Sequence, residues 1–272
     1  MKREGRRWFS ALVVALYGAI VLFPLFWLML TSFKEGSEVY TAGWPSHLTL
    51  KNYVDVLITY AIGGFFGNSL FVSATATAII LMSSTLAVYG LTKFRSRFSG
   101  KILAACIALR MIPFVTIVIP LYLMMAKLHL INTKACLIIG NVSFNLPMAI
   151  WLLVPFFLDF PDELMEAAAI DGSSRLNTLI RIVLPLSKSA IMVVLIFTFI
   201  NTWNEFMYAL IMNTGAEHMT LPVAIAQLTS RYGPRWDLQS AAAMLYILPV
   251  ITATAVFRKQ IIGGLTAGAV KG

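Results

Sequence analysis

Apolar and polar positions alternate along this chain on the scale of whole membrane spans. Apolar runs occupy about 8–31, 67–92, 102–126, 135–158, 189–212 and 241–262. Each exceeds the roughly 20 apolar residues that a helix needs to cross a bilayer. The pattern predicts six membrane helices. Pro24 is expected to bend the first, and Pro113 and Pro120 fall inside the third. The separators differ in length: 32–66 and 213–240 are sizeable loops, while the polar stretches after the second and third runs are short. The first run is too long for the 7–15-residue core of a secretory signal, and no A-x-A site closes it. It reads as an uncleaved span.

The polar stretch 159–187 has an internal design of its own. Pro161 suits the first turn of a helix, where a missing N–H is harmless. Asp162 and Glu163 place negative charge at the positive end of the helix dipole. Leu164, Ala167 and Ala168 share one face. Gly172 can take the left-handed conformation that ends a helix, and Ser173 or Ser174 can cap the next. Leu176, Leu179, Ile180 and Val183 then form an apolar stripe, with Pro185 marking its expected end. The prediction is helix, Gly turn, helix, with one apolar face. On pattern alone, an amphipathic loop lying on the membrane surface reads equally well.

Composition narrows the class. Of 272 residues, 59% are hydrophobic and 12% charged, about half the charge of a soluble domain. The formal charge of +9 sits in short segments beside the apolar runs, as topology signals do; with no basic stripe in a soluble domain, nucleic acid is excluded. With the 159–187 side taken as inside, fourteen Lys and Arg lie inside and six outside, with Arg110 within the third run. That bias predicts both termini inside. No internal repeat or low-complexity linker breaks the chain, which reads as a single transmembrane domain. Cys106 and Cys136 fall at opposite depths and read as small buried hydrophobes. His47, His129 and His218 are scattered over three outer segments, and no metal site is expected from them.

Polar side chains within a span face the bundle interior or a watery path. Asn201, Asn204, Glu205 and Tyr208 are spaced to form one stripe on a continuous helix. Asn141 and Asn145, with Phe144 and Pro147 nearby, sit at comparable depth in the antiparallel fourth span. Amides with aromatic rings suit a sugar, which offers hydroxyls and flat C–H faces; the same amides can instead join helices. Trp203 is offset from the stripe and reads as an outward or interhelical anchor. Arg110 can snorkel to the inner headgroups or pair with Glu205, though their depths match poorly. No nucleophile–base pair or paired carboxylates share one depth, so no enzyme is indicated. No G-x-x-x-x-G-K-[ST] phosphate cradle exists.

Glu166-Ala167-Ala168, Asp171-Gly172 and Ile182-x-Leu184-Pro185 resemble the EAA loop of binding-protein-dependent ABC importer permeases. T-S-F-K after the first span, Asn68-Ser69, Ile119 to Tyr122, Trp203 to Phe206, and the G-L-T-A-G-A-V-K-G tail are similar to the maltose-type carbohydrate permease family, in its shorter, MalG-like branch. The resemblance spans nearly the whole chain. It implies an all-α integral membrane protein of six transmembrane helices with the ABC importer type I permease fold and both termini cytoplasmic. It implies a multi-pass protein of the bacterial cytoplasmic (inner) membrane. The implied partners are a second permease in a heterodimer, two cytoplasmic ABC ATPases and an extracytoplasmic solute-binding protein. ATP and Mg would be used by the ATPases, with no cofactor bound by this chain. The EAA-like residues would dock on an ATPase, and Gly264, Leu265, Thr266, Lys271 and Gly272 in the tail would lie close to it. The loops 32–66 and 213–240 would receive the binding protein. An ABC permease for another solute, such as a phosphorylated polyol with Arg110 at the path, is the main alternative. An ion-driven secondary transporter has only Glu205 and Arg110 as midplane candidates.

Overall fold

The structure, a computed structural model, describes residues 2–94, 97–230 and 233–267. Almost every element is helical; among the described residues the strands are one short hairpin, Thr229–Ser230 against Gly233–Pro234. Among the described residues, four helices are long and apolar enough to cross a membrane: Trp8–Ser32, Ile62–Lys93, Lys134–Leu158 and Trp236–Gln260. Two bent pairs bring the number to six if each is one span: Ser99–Arg110 with Phe114–Lys127, bent by 98°, and Arg175–Leu186 with Lys188–Trp203, bent by 82°.

Several boundaries differ from those expected. The second long helix begins at Ile62 rather than near 67, and the last runs Trp236–Ala267 rather than 241–262, because outer-loop residues continue helical turns that the apolar run does not mark. The third span is not continuous. Pro113 is extended at its bend (φ −62°, ψ 134°), and its ring bars Ile112 from helical geometry. The fifth apolar run stops being helical at Trp203 and resumes as Met207–Met212.

The chain divides into two compact units. The first comprises Met1–Phe66 and Leu221–Leu248. It is organised around the end of the first span. The Lys34 side chain is fully buried. Its Nζ donates to the Thr41 carbonyl at 2.8 Å and lies 4.9 Å from the centre of the Trp27 ring. Asn52 Nδ2 donates to the carbonyls of Ser32 and Lys34 at 3.0 and 2.7 Å, and Ser32 Oγ meets the Tyr53 hydroxyl at 2.8 Å. Hydrogen bonds from Ser46 hold the exposed Glu38 carboxyl below its ordinary value. The T-S-F-K segment is therefore a knot that folds the loop back on itself. Lys34→Met should orphan the Thr41 carbonyl and the Trp27 face. The expected cost is about 1–3 kcal/mol, read as a lower thermal midpoint together with faster proteolysis between 35 and 50. An unchanged midpoint and cleavage rate would remove Lys34 from this role.

The second unit comprises Gly67–Thr220 and Pro249–Gly272. Its core gathers Ala76, Ile80, Val88, Leu153, Phe157, Leu179, Val183 and Val194, all buried. These residues come from the helices Ile62–Lys93, Lys134–Leu158 and Lys188–Trp203 and from the segment before the last of them. Asn68 Nδ2 donates to the carbonyls of Glu217 and Met219 at 2.9 and 3.0 Å, so Asn68 clamps the loop after Met212.

Candidate functional site

Two places in the second unit carry polar design. The first is the stretch from Asp159 to Leu186. A helix spans Asp162–Ile170 with Pro161 as its N-cap, one residue outside the turn expected for it. It ends at Gly172, whose φ is +76°. The Ser173 N–H bonds the Ala168 carbonyl at 2.9 Å and the Gly172 N–H bonds that of Ala169 at 3.1 Å. This double bond pattern closes a helix when the residue after the cap is left-handed. Ser174 then caps the next helix, its Oγ accepting from the Asn177 N–H at 3.3 Å. That helix covers Arg175–Thr178, widens to a π turn over Leu179–Val183, and continues through Leu186. Pro185 does not terminate it. Pro185 has no N–H to offer and its ring crowds the turn before it; the wider turn lies in that stretch.

Of the EAA-like residues, Glu166, Ala167, Asp171, Gly172 and Pro185 are exposed, Ile182 and Leu184 are half-buried, and Ala168 is buried. Large apolar side chains stand in the open here: Leu164, Leu176, Ile180 and, at 86% exposure, Ile170. Two residues outside the motif fasten the stretch to the helix Ile62–Lys93. Lys93, with its side chain only 5% exposed, pairs with Asp162 at 2.7 Å and donates to the Phe160 carbonyl at 2.7 Å. The Tyr89 hydroxyl donates to the Arg175 carbonyl at 3.0 Å, while the Arg175 guanidinium lies over Phe94. Charge counting assigned Lys93 to topology; its burial gives it a second task. Of the tail residues, Gly264, Leu265 and Thr266 fall in the last turns of the helix Trp236–Ala267, and Lys271 and Gly272 lie outside the described residues.

The second place is a cavity of about 560 Å³ at the bend of the third span and the break of the fifth. Arg110, Phe114, Phe144, Asn145, Asn201, Glu205 and Tyr208 are among the residues that line it. The break corrects the expected continuous stripe. Glu205 does not follow Asn201 on a helical face. Its carboxylate accepts the N–H groups of Tyr208 at 2.6 Å and Ala209 at 2.9 Å, so it caps the new helix that begins beyond it. Asn204 ends the helix Lys188–Trp203, is exposed, and does not line the cavity. Asn141 is 2% exposed and turned to a different, smaller cavity.

The Asn145 and Asn201 side chains donate Nδ2 to the carbonyls one turn back, Asn141 at 2.9 Å and Phe197 at 2.7 Å. Their Oδ1 atoms remain as acceptors. Pro147 denies the Ser143 carbonyl its helical donor. Phe114, Phe144 and Tyr208 meet edge to face, with centroids 5.3, 5.6 and 6.3 Å apart, a favoured aromatic geometry. Tyr208 is 1% exposed, and its hydroxyl donates to the Cys136 carbonyl at 3.1 Å. That contact spends the hydroxyl's proton, and Tyr208 is among the residues that line the cavity. The arrangement offers acceptors, one carboxylate and aromatic faces: the means to hold a hydroxylated molecule by its donors and its C–H surfaces.

Arg110 makes no ion pair with Glu205; its Nη1 donates to the Phe144 carbonyl at 3.2 Å. Trp203 faces inward, 1% exposed, and stacks on Phe199 of its own helix at 5.9 Å. Sequence reading missed Phe114, which borders the Pro113 bend, and Gly140. A methyl at Gly140 would overlap the Tyr208 ring. Nothing local in the sequence marks a glycine that serves a ring on another helix.

Residues 79–263, which contain both places, match the family described as binding-protein-dependent transport system inner membrane component. Relatives span the chain. The sulfoquinovosyl glycerol transport system permease protein of Agrobacterium fabrum is 35% identical over 92% of this chain and 89% of its own. The trehalose/maltose transport system permease protein of Thermococcus litoralis is 34% identical over the full length of both. The arabinooligosaccharides transport system permease protein of Halalkalibacterium halodurans is 30% identical over 97% and 96%. Among solved structures, a chain of a bacterial ABC transporter involved in alginate import superposes with a TM-score of 0.80, at 21% identity over 94% of this chain and 97% of that one. The fold is that of an ABC importer permease, and the chain belongs to the family of binding-protein-dependent transport system inner membrane components.

Proposed function

We propose that this chain is the permease subunit of an ATP-driven importer for a sugar or oligosaccharide, forming half of the translocation path in the cytoplasmic membrane. The observation that carries the reading is the Asp159–Leu186 stretch. Its apolar side chains Leu164, Ile170, Leu176 and Ile180 are exposed, its turn is set by a left-handed Gly172, and it leads into the helix bordering the cavity. That is the form a coupling element needs: a docking face joined to a span. Two ATPases would supply hydrolysis, with ATP and Mg, and would meet this stretch and the tail. A second permease would complete the path. The outer segments would receive a solute-binding protein; a cavity of about 450 Å³ bounded by Glu35, Lys51, Asp55, Arg235 and Asp237 draws on both of them.

The sugar reading is supported by the relatives' transport roles and by the free acceptors and aromatic trio around the larger cavity. A phosphorylated polyol draws support from Arg110 on the same wall. Affinity purification from native membranes in mild detergent should recover an ATPase, a second six-span permease and a solute-binding protein. Reconstituted together, they should take up the ligand of that binding protein only with ATP. Glu205→Gln should keep most uptake, since the amide oxygen still caps one N–H. Glu205→Ala should lose it while the ATPases stay bound. A chain that purifies alone and moves solute on an ion gradient would overturn the proposal; a phosphorylated ligand would replace the sugar.

A further inference from the structure

Glu205 also lines a second cavity, away from the larger one. It measures about 10 Å³, the room that one water molecule requires, about 10–15 Å³. Ser69, Ser73, Asn141, Thr202 and Thr220 contribute to its wall. Two buried oxygens here have no hydrogen-bond partner: Asn141 Oδ1 and Thr220 Oγ1. Their residues are 2% and 6% exposed. Buried polar atoms are seldom left so.

Donor counting specifies the missing group. Asn141 Oδ1 carries no proton and can only accept, while Nδ2 gives one of its two protons to the Leu137 carbonyl at 3.0 Å. Ser73 has given its proton to the Ser69 carbonyl at 2.7 Å. Thr202 donates along its own helix. Each Glu205 oxygen takes one backbone N–H and keeps a free lone pair. The Thr220 hydroxyl has its proton unspent. The wall's unpartnered atoms are an acceptor, Asn141 Oδ1, and a hydroxyl, Thr220 Oγ1, beside the open lone pairs of the Glu205 carboxylate. The wall needs a small neutral molecule that gives two hydrogens and takes one.

We propose that this cavity binds one internal water, donating to Asn141 Oδ1 and the Glu205 carboxylate and accepting from Thr220 Oγ1. The water ties the helix Lys134–Leu158, the break at 204–206 and the end of the loop at Thr220. It holds the break through the Glu205 carboxylate, which also lines the larger cavity. The site is independent of which solute is carried.

The test uses the purified full chain with its copurifying companions in lipid nanodiscs. Thermal midpoints are measured for wild type, Thr220→Val, Asn141→Leu and the double variant. Each single substitution should lower the midpoint by a few degrees. The double should fall no further than the worse single, because losing either partner already releases the water. Strictly additive losses would overturn the site. Wild-type midpoints should agree in sodium, potassium and choline salts at equal ionic strength; a rise confined to one metal cation would overturn the water in favour of an ion. A structure resolving ordered waters keeps the question open to refutation if the variants fail to fold. Density within hydrogen-bond reach of both oxygens is expected, and its absence would end the proposal.

Discussion

Gly140→Ala is expected to abolish solute uptake while leaving the chain inserted in the membrane. The added methyl would overlap the Cε1 and Cζ carbons and the hydroxyl of Tyr208. The ring has no slack to give. It is 1% exposed, wedged edge-on against Phe114 and Phe144, tethered by its hydroxyl to the Cys136 carbonyl, and fixed at its backbone by Glu205. Overpacking of this kind costs about 1–3 kcal/mol, and the lost tether about 1 kcal/mol more. The ring lines the larger cavity, so displacing it intrudes on the space proposed for the solute. ATP-driven uptake in proteoliposomes should therefore fall below a tenth of wild type, with a thermal midpoint only some degrees lower. Tyr208→Phe in the Gly140→Ala background should not rescue, because the clashing ring carbons remain. Tyr208→Leu should restore part of the uptake by vacating the overlap. Full uptake by Gly140→Ala alone would show that this contact does not shape the path.

The same region shows why some of the architecture could be read from the residues and some could not. The six apolar runs announce themselves, since each must be long and uncharged to cross a bilayer. Gly172 was legible because the flanking polar signals all point to a helix end, and one residue type suits the left-handed turn. The break at 204–206 was not. Asn201, Asn204, Glu205 and Tyr208 satisfy helical spacing, and spacing presumes a continuous helix. Glu205 instead spends its carboxylate on two backbone N–H groups, a competing use that periodicity cannot weigh. Pro113 was visible, yet the 98° bend and the contacts that Arg110 and Phe114 make with Phe144 on the helix Lys134–Leu158 were not. Lys34 and Lys93 entered the charge count as topology signals. Their side chains turn inward to Thr41 and Phe160, and counting charge by side says nothing about partners. Gly140 is silent in sequence because its reason lies 68 residues away on the Tyr208 ring.

Gly172→Asp should leave the protein in the membrane and uncouple uptake from ATP hydrolysis. An added Cβ at this position meets nothing within 4 Å, so crowding is not the cause. Part of the cost is in the backbone: φ is +76°, where a side chain costs up to roughly 1–2 kcal/mol, less for Asn and Asp. Aspartate adds a second negative charge beside Asp171, at the negative end of the helix Asp162–Ile170, where the dipole disfavours it. Strain of that size changes the population of the turned arrangement about tenfold. It falls on an exposed turn, while both limbs stay anchored through Lys93 and Tyr89, so global stability should hardly move. The angle between the two limbs should relax, and with it the face formed by Leu164, Ile170, Leu176 and Ile180. Three variants separate the causes. Gly172→Asn tolerates the left-handed turn without added charge and should keep most uptake. Gly172→Ala should fall between. Gly172→Val, β-branched at positive φ, should behave like aspartate despite carrying no charge. The measurements are ATP hydrolysis and solute uptake on the same proteoliposomes, with copurification of the ATPase as the docking readout. Hydrolysis that persists while uptake collapses is the expected result. Wild-type uptake by both the aspartate and valine variants would strip the turn of its coupling role and leave the stretch as a surface helix of the membrane.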